Sequence, residues 1–295
     1  MLFLSDYHFG YGSNLNWDDW KKWCSKSGKD HNSLKVEPGT FFLPDYELDF
    51  HYYSGGRDGG ALDVVKLRGH AVAGKLFKVS DDGWDSLDAK EGHPTFYERK
   101  KVEVLSENGE LRTAITYVVV PDRVKKEHVP PGSGYIEAVD EGYEYHGITK
   151  AHLWAKTQLL ASAKGKVTKS AVNHLFIYGT LREGEERSEI LSEFSSKVYK
   201  DCKIRGKLIN LQGGRYPGLI SGDGSVVGEI HHTPKIQNAL KKLDNDVEDF
   251  KGYGEDGSLF HRILTYSNDI PCWTYVYAGS PDDGPVIESG DWLKR

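Results

Sequence analysis

The chain has 295 residues, with 38 Lys and Arg against 44 Asp and Glu, a formal charge of −6 spread without polybasic or acidic blocks. That length suits two domains, each large enough to bury a core without disulfides or metals. Mildly acidic, well-mixed charge argues against nucleic-acid or anionic-membrane binding, which needs clustered cations, and leaves small-molecule chemistry as the expectation.

From the amino terminus, Met1 to His8 offers no cationic leader, and Asp6 arrives too early for a signal-peptide core. No apolar run approaches the ~18 residues of a membrane span. A cytoplasmic protein with no membrane partner is expected. An apolar stretch then ends in Tyr11-Gly12-Ser13-Asn14-Leu15, after which Asn16, Asp18 and Asp19 can start a helix around Trp17 to Trp20. Phe41 to Gly60 reads as loop. A strand follows over Ala71 to Ala73, and then a short helix or turn holds Leu87-Asp88. Tyr97 to Leu105 and Arg112 to Val120 are β-rich and flank Asn108-Gly109, a hairpin signal. His152 to Leu160 ends a helix, and Ala161 to Ser170 is small, polar and basic, a linker.

Beyond the linker the pattern returns. Tyr11-Gly12-Ser13-Asn14-Leu15 is echoed by Tyr178-Gly179-Thr180-Leu181-Arg182, Gly74 by Gly228, Leu87-Asp88 by Leu243-Asp244, Tyr97-Glu-Arg99 by Phe260-His-Arg262, and Thr116-Tyr117-Val118 by Thr274-Tyr275-Val276. Offsets between mates run from 154 to 167, a domain-sized period with drifting loops. The expected organisation is a domain over 1–160, a linker over 161–172 and a second copy over 173–295. The 33 glycines, about 11% of residues against a usual ~7%, together with 17 Tyr and 7 Trp, suit short strands and tight turns. Each copy is therefore read as a mixed α+β unit with a barrel-like sheet and flanking helices.

Several patterns carry no chemistry. Gly252 to Gly257 matches G-x-G-x-x-G but puts Glu255 and Asp256 where a phosphate would sit and precedes a strand, so it is a turn. His231 and His232 lie in a strand and face opposite ways. Cys24, Cys202 and Cys272 are far apart and never form C-x-x-C, which suggests neither a disulfide framework nor zinc. No metal or cofactor is expected. Two segments are more informative. The glycine-containing strand-to-helix turn at Tyr11 to Leu15 can present successive backbone N–H groups to a carboxylate or oxyanion, and it heads both copies. Glu91 is followed by glycine and an irregular stretch, a setting in which a carboxylate can be held in a site.

Taken together, Y-G-S-N-L at Tyr11, a strand carrying Gly74, L-D-x-x-E-G at Leu87 to Gly92, Tyr97-x-Arg99 and the Pro131 to Tyr135 segment resemble the γ-glutamylcyclotransferase family. The second copy, with Y-G-T-L-R at Tyr178 and Gly214-Arg-Tyr216-Pro217-Gly218-Leu219, resembles the γ-glutamylamine cyclotransferase branch. The resemblance implies a small barrel-like mixed α/β domain and release of an amine or amino acid with formation of 5-oxoproline. It also implies that Glu91 is the catalytic carboxylate, that Gly12 to Asn14 bind substrate through backbone amides, and that Tyr11, Tyr97 and Tyr135 line the pocket. Tyr178, Gly179, Thr180 and Leu181 are their second-copy counterparts.

The chemistry accounts for these residue types. A γ-glutamyl compound carries its own nucleophile, so the protein need only fold it, take a proton from the α-ammonium and return one to the leaving nitrogen. One partly desolvated carboxylate can do both. The second copy departs from the pattern. Three residues after Asp88 stands Glu91, but three after Asp244 stands Val247, and Glu248 comes one later. On a helix that slip turns a side chain by ~100°. Glu248 therefore reaches the site only if the chain bulges near Val247. An active second copy is the expectation, with a degenerate binding or stabilising copy as the alternative. Removal of a γ-glutamyl protecting group from a biosynthetic intermediate and a non-catalytic γ-glutamyl-binding module are the competing functions. Phe41 to Gly60 carries no readable code for the leaving amine.

Overall fold

A computed structural model describes residues 6–165 and 172–295. The chain divides into two compact units, with the boundary between Ala171 and Val172.

In the first unit, β1 (Tyr7–Gly10) is the central strand of a closed sheet. It runs antiparallel to β4 (Gly59–Val79), with Phe9 opposite Leu76, and parallel to β6 (Leu111–Val119), with His8 opposite Ile115. With β5 (Tyr97–Ser106) and β3 (Phe41–Ser54) the order β1-β6-β5-β3-β4 returns to β1, closing a five-stranded barrel, while β2 (Leu34–Val36) pairs on the outside of β4. Closure brings backbones very close at Gly74, where a Cβ would lie 2.3 Å from the Gly10 carbonyl oxygen and under 3 Å from the Phe9 ring. Only glycine fits there.

The Asn16 side chain caps α1 (Trp17–Ser27), accepting from the Asp19 N–H at 3.0 Å, and Gly28 ends the helix in the left-handed conformation. α2 (Asp81–Glu91) follows β4 and stops at Gly92, which is also left-handed. α3 (Tyr135–Tyr145), α4 (Ile148–Ala151) and α5 (Leu153–Ser162) complete the unit. Two sequence expectations fail here. Phe41 to Gly60 is not loop but the 14-residue β3, a tight turn and the start of the 21-residue β4. The polar residues that disguised it, His51 and Asp63, satisfy each other across the two strands at 2.7 Å. The linker assigned from residue 161 begins within α5, which runs to Ser162; residues 166–171 lie outside the described ones.

The second unit repeats the plan. β7 (His174–Ile177) lies antiparallel to β9 (Tyr216–His232) and parallel to β11 (Ile270–Tyr277), in the order β10-β11-β7-β9-β8, with β8 at Lys197–Leu211 and β10 at Phe260–Ser267. Between edge strands β8 and β10 the Ser267 hydroxyl makes the bridge, accepting from the Lys203 N–H at 3.1 Å and donating to its carbonyl at 2.7 Å. Two short helices, α6 (Glu189–Ser192) and α7 (Ile236–Asp246), are the longest helical pieces. Gly228 repeats Gly74, a Cβ there falling 2.4 Å from the Ile177 carbonyl. The Gly214 to Leu219 motif leads from a turn into β9, so Tyr216-Pro217-Gly218 opens a strand rather than forming the turn itself. Gly252 to Gly257 is irregular and leads into β10.

The duplication extends to the hydrogen bonds. Tyr11 donates to the Tyr117 carbonyl and Tyr178 to the Tyr275 carbonyl, each at 2.8 Å. Thr116 donates to the Phe9 carbonyl as Thr274 does to that of Phe176. Asp88 receives Arg99 and the Tyr117 hydroxyl, just as Asp244 receives Arg262 and the Tyr275 hydroxyl.

Candidate active sites

In the first unit a cavity of about 740 Å³ opens at the end of β1, where the chain leaves the barrel through Tyr11-Gly12-Ser13-Asn14. That turn is a single tight loop, closed by the Leu15 N–H on the Gly12 carbonyl at 3.0 Å. Among the described residues the amides of Gly12, Ser13 and Asn14 carry no intrachain hydrogen bond. Three successive unspent donors on a cavity wall form an anion cradle. Leu15, assigned to the site from sequence, is not on that wall: it is fully buried, packed beneath Gly142 of α3, and holds the turn from below.

Facing the cradle, Glu91 projects from the last residue of α2 and accepts from the Asn14 carboxamide Nδ2 at 2.5 Å. Burial pushes its carboxyl up from the usual value, against the opposing pull of the Asn14 hydrogen bond and the charges of Lys90 and Arg57. Lys90 and Arg57 both bind Asp19 at 3.1 Å, so the cations beside the acid are themselves tethered. Arg57 also lies over the Tyr135 ring, 5.3 Å from its centre. Tyr97 donates to the Leu62 carbonyl at 2.9 Å, while Tyr135 accepts from the Leu62 N–H at 3.2 Å. Burial raises the hydroxyls of Tyr11, Tyr97 and Tyr135, which keeps them neutral. Tyr11, Gly12, Ser13, Asn14, Glu91, Tyr97 and Tyr135 therefore line one cavity.

The second unit has a cavity of about 160 Å³ in the equivalent place, lined by Tyr178, Gly179, Thr180, Leu181 and Glu248 among others. The Arg182 N–H closes the turn on the Gly179 carbonyl, as Leu15 does in the first unit, and among the described residues the amides of Gly179, Thr180 and Leu181 are again unspent. Pro217 packs so tightly on Gly179 that a Cβ would lie 2.6 Å from its ring. The one-residue slip of the acid is absorbed at the helix end. Glu91 is the last residue of α2, three past Asp88, whereas α7 stops two residues past Asp244 and Val247 has already left the helical conformation. The N–H groups of Val247 and Glu248 both turn onto the Leu243 carbonyl, at 3.2 and 2.9 Å, and Asp249 takes a left-handed φ of 49°. Glu248 thereby reaches the cavity, and burial raises its carboxyl to about 7, with Arg187 opposing the shift and Asp244 adding to it.

Reading the sequence missed Arg57, Lys90 and Arg187. Arg57 follows Gly55-Gly56 and precedes Gly59-Gly60, a glycine cluster that signals close backbone approach; a Cβ on Gly132 would lie 2.0 Å from the Arg57 carbonyl. Arg187 is anchored by its N–H on the Thr180 carbonyl at 2.9 Å, and nothing in the repeat pattern marks it. Among the described residues no group of His, Cys, Asp and Glu is arranged to hold a metal ion. No helix among them is long and apolar enough to cross a membrane.

Comparison with known proteins supplies the family. The model for "Gamma-glutamyl cyclotransferase, AIG2-like" proteins matches residues 8–137 and again 175–294, once for each unit. The chain belongs to this family, in two tandem copies. It is 34% identical over 123 residues to the "Gamma-L-glutamyl-butirosin B gamma-glutamyl cyclotransferase" of Niallia circulans, covering 40% of this chain and 74% of that one. It is also 34% identical over 128 residues to the "Gamma-glutamylcyclotransferase family protein YtfP" of Escherichia coli K12, covering 41% of this chain and 96% of that one. A solved structure titled "Gamma-glutamyl cyclotransferase" superposes at a TM-score of 0.45 with 24% identity, over 52% of this chain and 86% of its own. Members of this family are enzymes of the cyclising acyltransferase type, and the two matched segments coincide with the two barrels and their cavities.

Proposed function

We propose that each unit converts a γ-glutamyl compound into 5-oxoproline and a free amine by attack of the substrate's own α-amine on its γ-carbonyl. Glu91 in the first unit and Glu248 in the second are the proton shuttles. Each carboxylate takes a proton from the α-ammonium, the freed nitrogen forms the ring bond to the γ-carbon, the carbon–nitrogen bond to the leaving amine breaks as the carboxyl returns its proton to that nitrogen, and the ring nitrogen sheds a second proton, which departs with the amine as its ammonium. The amides of Gly12 to Asn14, and of Gly179 to Leu181, receive the α-carboxylate or the oxyanion, a role in which one lost donor typically costs ~3–4 kcal/mol. The neutral tyrosines shape the fold of the substrate chain, the proximity term that dominates such cyclisations.

The observation that carries this reading is the same pairing made twice: backbone amides unspent among the described residues, facing a half-buried carboxyl that desolvation raises. A module that only bound an anionic ligand would gain nothing from a desolvated acid beside it, which counts against the non-catalytic alternative. The difference between about 740 and 160 Å³ supports a larger leaving amine in the first unit than in the second. Small-molecule substrates, a cytoplasmic setting, independence of cofactors and the absence of nucleic-acid partners belong to the same proposal. Incubation with a panel of γ-glutamyl amino acids, amines and larger conjugates, with mass-spectrometric detection of 5-oxoproline, tests it. Release of free glutamate instead of the cyclic product would contradict it.

A further inference from the structure

The two cradles match in backbone but not in the side chain at their fourth position, where Asn14 answers to Leu181. The equivalence is fixed by the turn-closing bonds, Leu15 to Gly12 and Arg182 to Gly179, both 3.0 Å. In the first site the Asn14 amide nitrogen donates to Glu91, and it is the nitrogen that must face the acid, because an ionised carboxylate only accepts. Its carbonyl oxygen, Oδ1, is thereby turned away, buried and without any hydrogen-bond partner among the described residues. A buried acceptor left unpaired is costly unless a donor comes to it. Both Asn14 and Glu91 lie on the cavity wall, so that donor is expected from the ligand, reaching Oδ1 through a small shift of the Asn14 side chain that uncovers it.

We propose that Asn14 Oδ1 accepts an N–H of the substrate's α-ammonium, so that Asn14 and Glu91 together clamp the attacking nitrogen in the first site, whereas the second site holds it through Glu248 without such a clamp. The proposal rests on the cyclotransferase reading. Of the α-ammonium's three hydrogens, one passes to Glu91 and on to the leaving nitrogen, a second is shed by the ring nitrogen and departs with the amine as its ammonium, and the third, hydrogen-bonded to Asn14, stays as the lactam N–H; Asn14 neither gains nor loses a proton. The Leu181 side chain supplies neither donor nor acceptor. The acids differ accordingly: the Asn14 hydrogen bond favours the ionised form of Glu91, and among the described residues no such bond holds the Glu248 carboxyl down from about 7.

The test uses the full chain carrying Glu248→Gln, so that only the first site turns over, with γ-glutamylalanine as substrate and glutarylalanine, which lacks only the α-amine, as competing ligand. Asn14→Leu should raise KM for γ-glutamylalanine by about 10–100-fold, the effect of losing a hydrogen bond to a charged group, while the inhibition constant of glutarylalanine changes less than threefold. The acid limb of kcat/KM should also move to higher pH. In a chain carrying Glu91→Gln, Leu181→Asn should lower KM and move the acid limb of the second site down. Equal weakening of both ligands by Asn14→Leu, or a loss confined to kcat with an unmoved acid limb, would overturn the clamp. Asn14→Leu that fails to fold leaves the decision to Leu181→Asn, where an unchanged KM overturns it. No turnover by the Glu248→Gln parent, on any compound of the panel, would sink the cyclotransferase reading of the first site as a whole.

Discussion

Glu248→Gln should make the second unit more stable at neutral pH while removing its turnover. Burial raises the Glu248 carboxyl in the folded chain from 4.5 to about 7, so folding favours the protonated, uncharged form. A raised acid contributes its stability fully below the unfolded value and loses it as pH climbs through the folded one. Applying the linkage relation to 4.5 and about 7 gives a loss of at most about 2.5 kcal/mol between pH 5 and pH 8. Glutamine is nearly isosteric and does not titrate. The advantage of the variant over the parent should therefore be about 2 kcal/mol larger at pH 8 than at pH 5. Urea unfolding of the full chain at both pH values, with hydrogen exchange of peptides from β8 and β9 reporting on the second unit, measures this. An advantage that does not change with pH would refute the placement of Glu248 in a desolvated pocket.

Glu91→Gln should lower first-unit turnover by ~10²–10⁴-fold while leaving the unit folded, read in a chain already carrying Glu248→Gln so that the second site is silent. Gly74→Ala forces a Cβ to within 2.3 Å of the Gly10 carbonyl oxygen and should destabilise the first unit by about 3 kcal/mol, with Gly228→Ala doing the same to the second; exchange protection restricted to one unit checks each. Asp244→Asn breaks an ion pair whose side chains are 4% and 0% exposed, and should cost about 3 kcal/mol, clearly more than Asp88→Asn, whose pair is 26% and 17% exposed. Chemical denaturation of the two variants side by side decides that order.

The duplication was legible because the barrel fixes residue types where backbones nearly touch. Gly74 and Gly228 admit no side chain, and the Asp88–Arg99–Tyr117 set recurs as Asp244–Arg262–Tyr275, so the same letters return in the same order. The long strands β3 and β4 were hidden for the opposite reason. Asp49, His51 and Asp63 interrupt the apolar alternation, yet they are paired with one another, His51 bridging the two carboxylates at 2.9 and 2.7 Å. Helical arithmetic placed Glu248 about 100° from its target. It assumed that α7 continues as far past Asp244 as α2 does past Asp88, whereas the helix exits early at Val247 into a turn in which Val247 and Glu248 bond to the Leu243 carbonyl and Phe250 to that of Asp244. Cations such as Arg57 and Arg187 come from loops outside the repeat and had no mate to reveal them.

The central claim is that two acids, one in each barrel, carry the same cyclisation. The most direct measurement is the rate of 5-oxoproline formation from a γ-glutamyl panel by four forms of the full chain: the parent, Glu91→Gln, Glu248→Gln and the double variant. Each single variant should retain the product of the other site, and the double variant should fall to the uncatalysed background. Turnover by the double variant within tenfold of the parent would contradict the account.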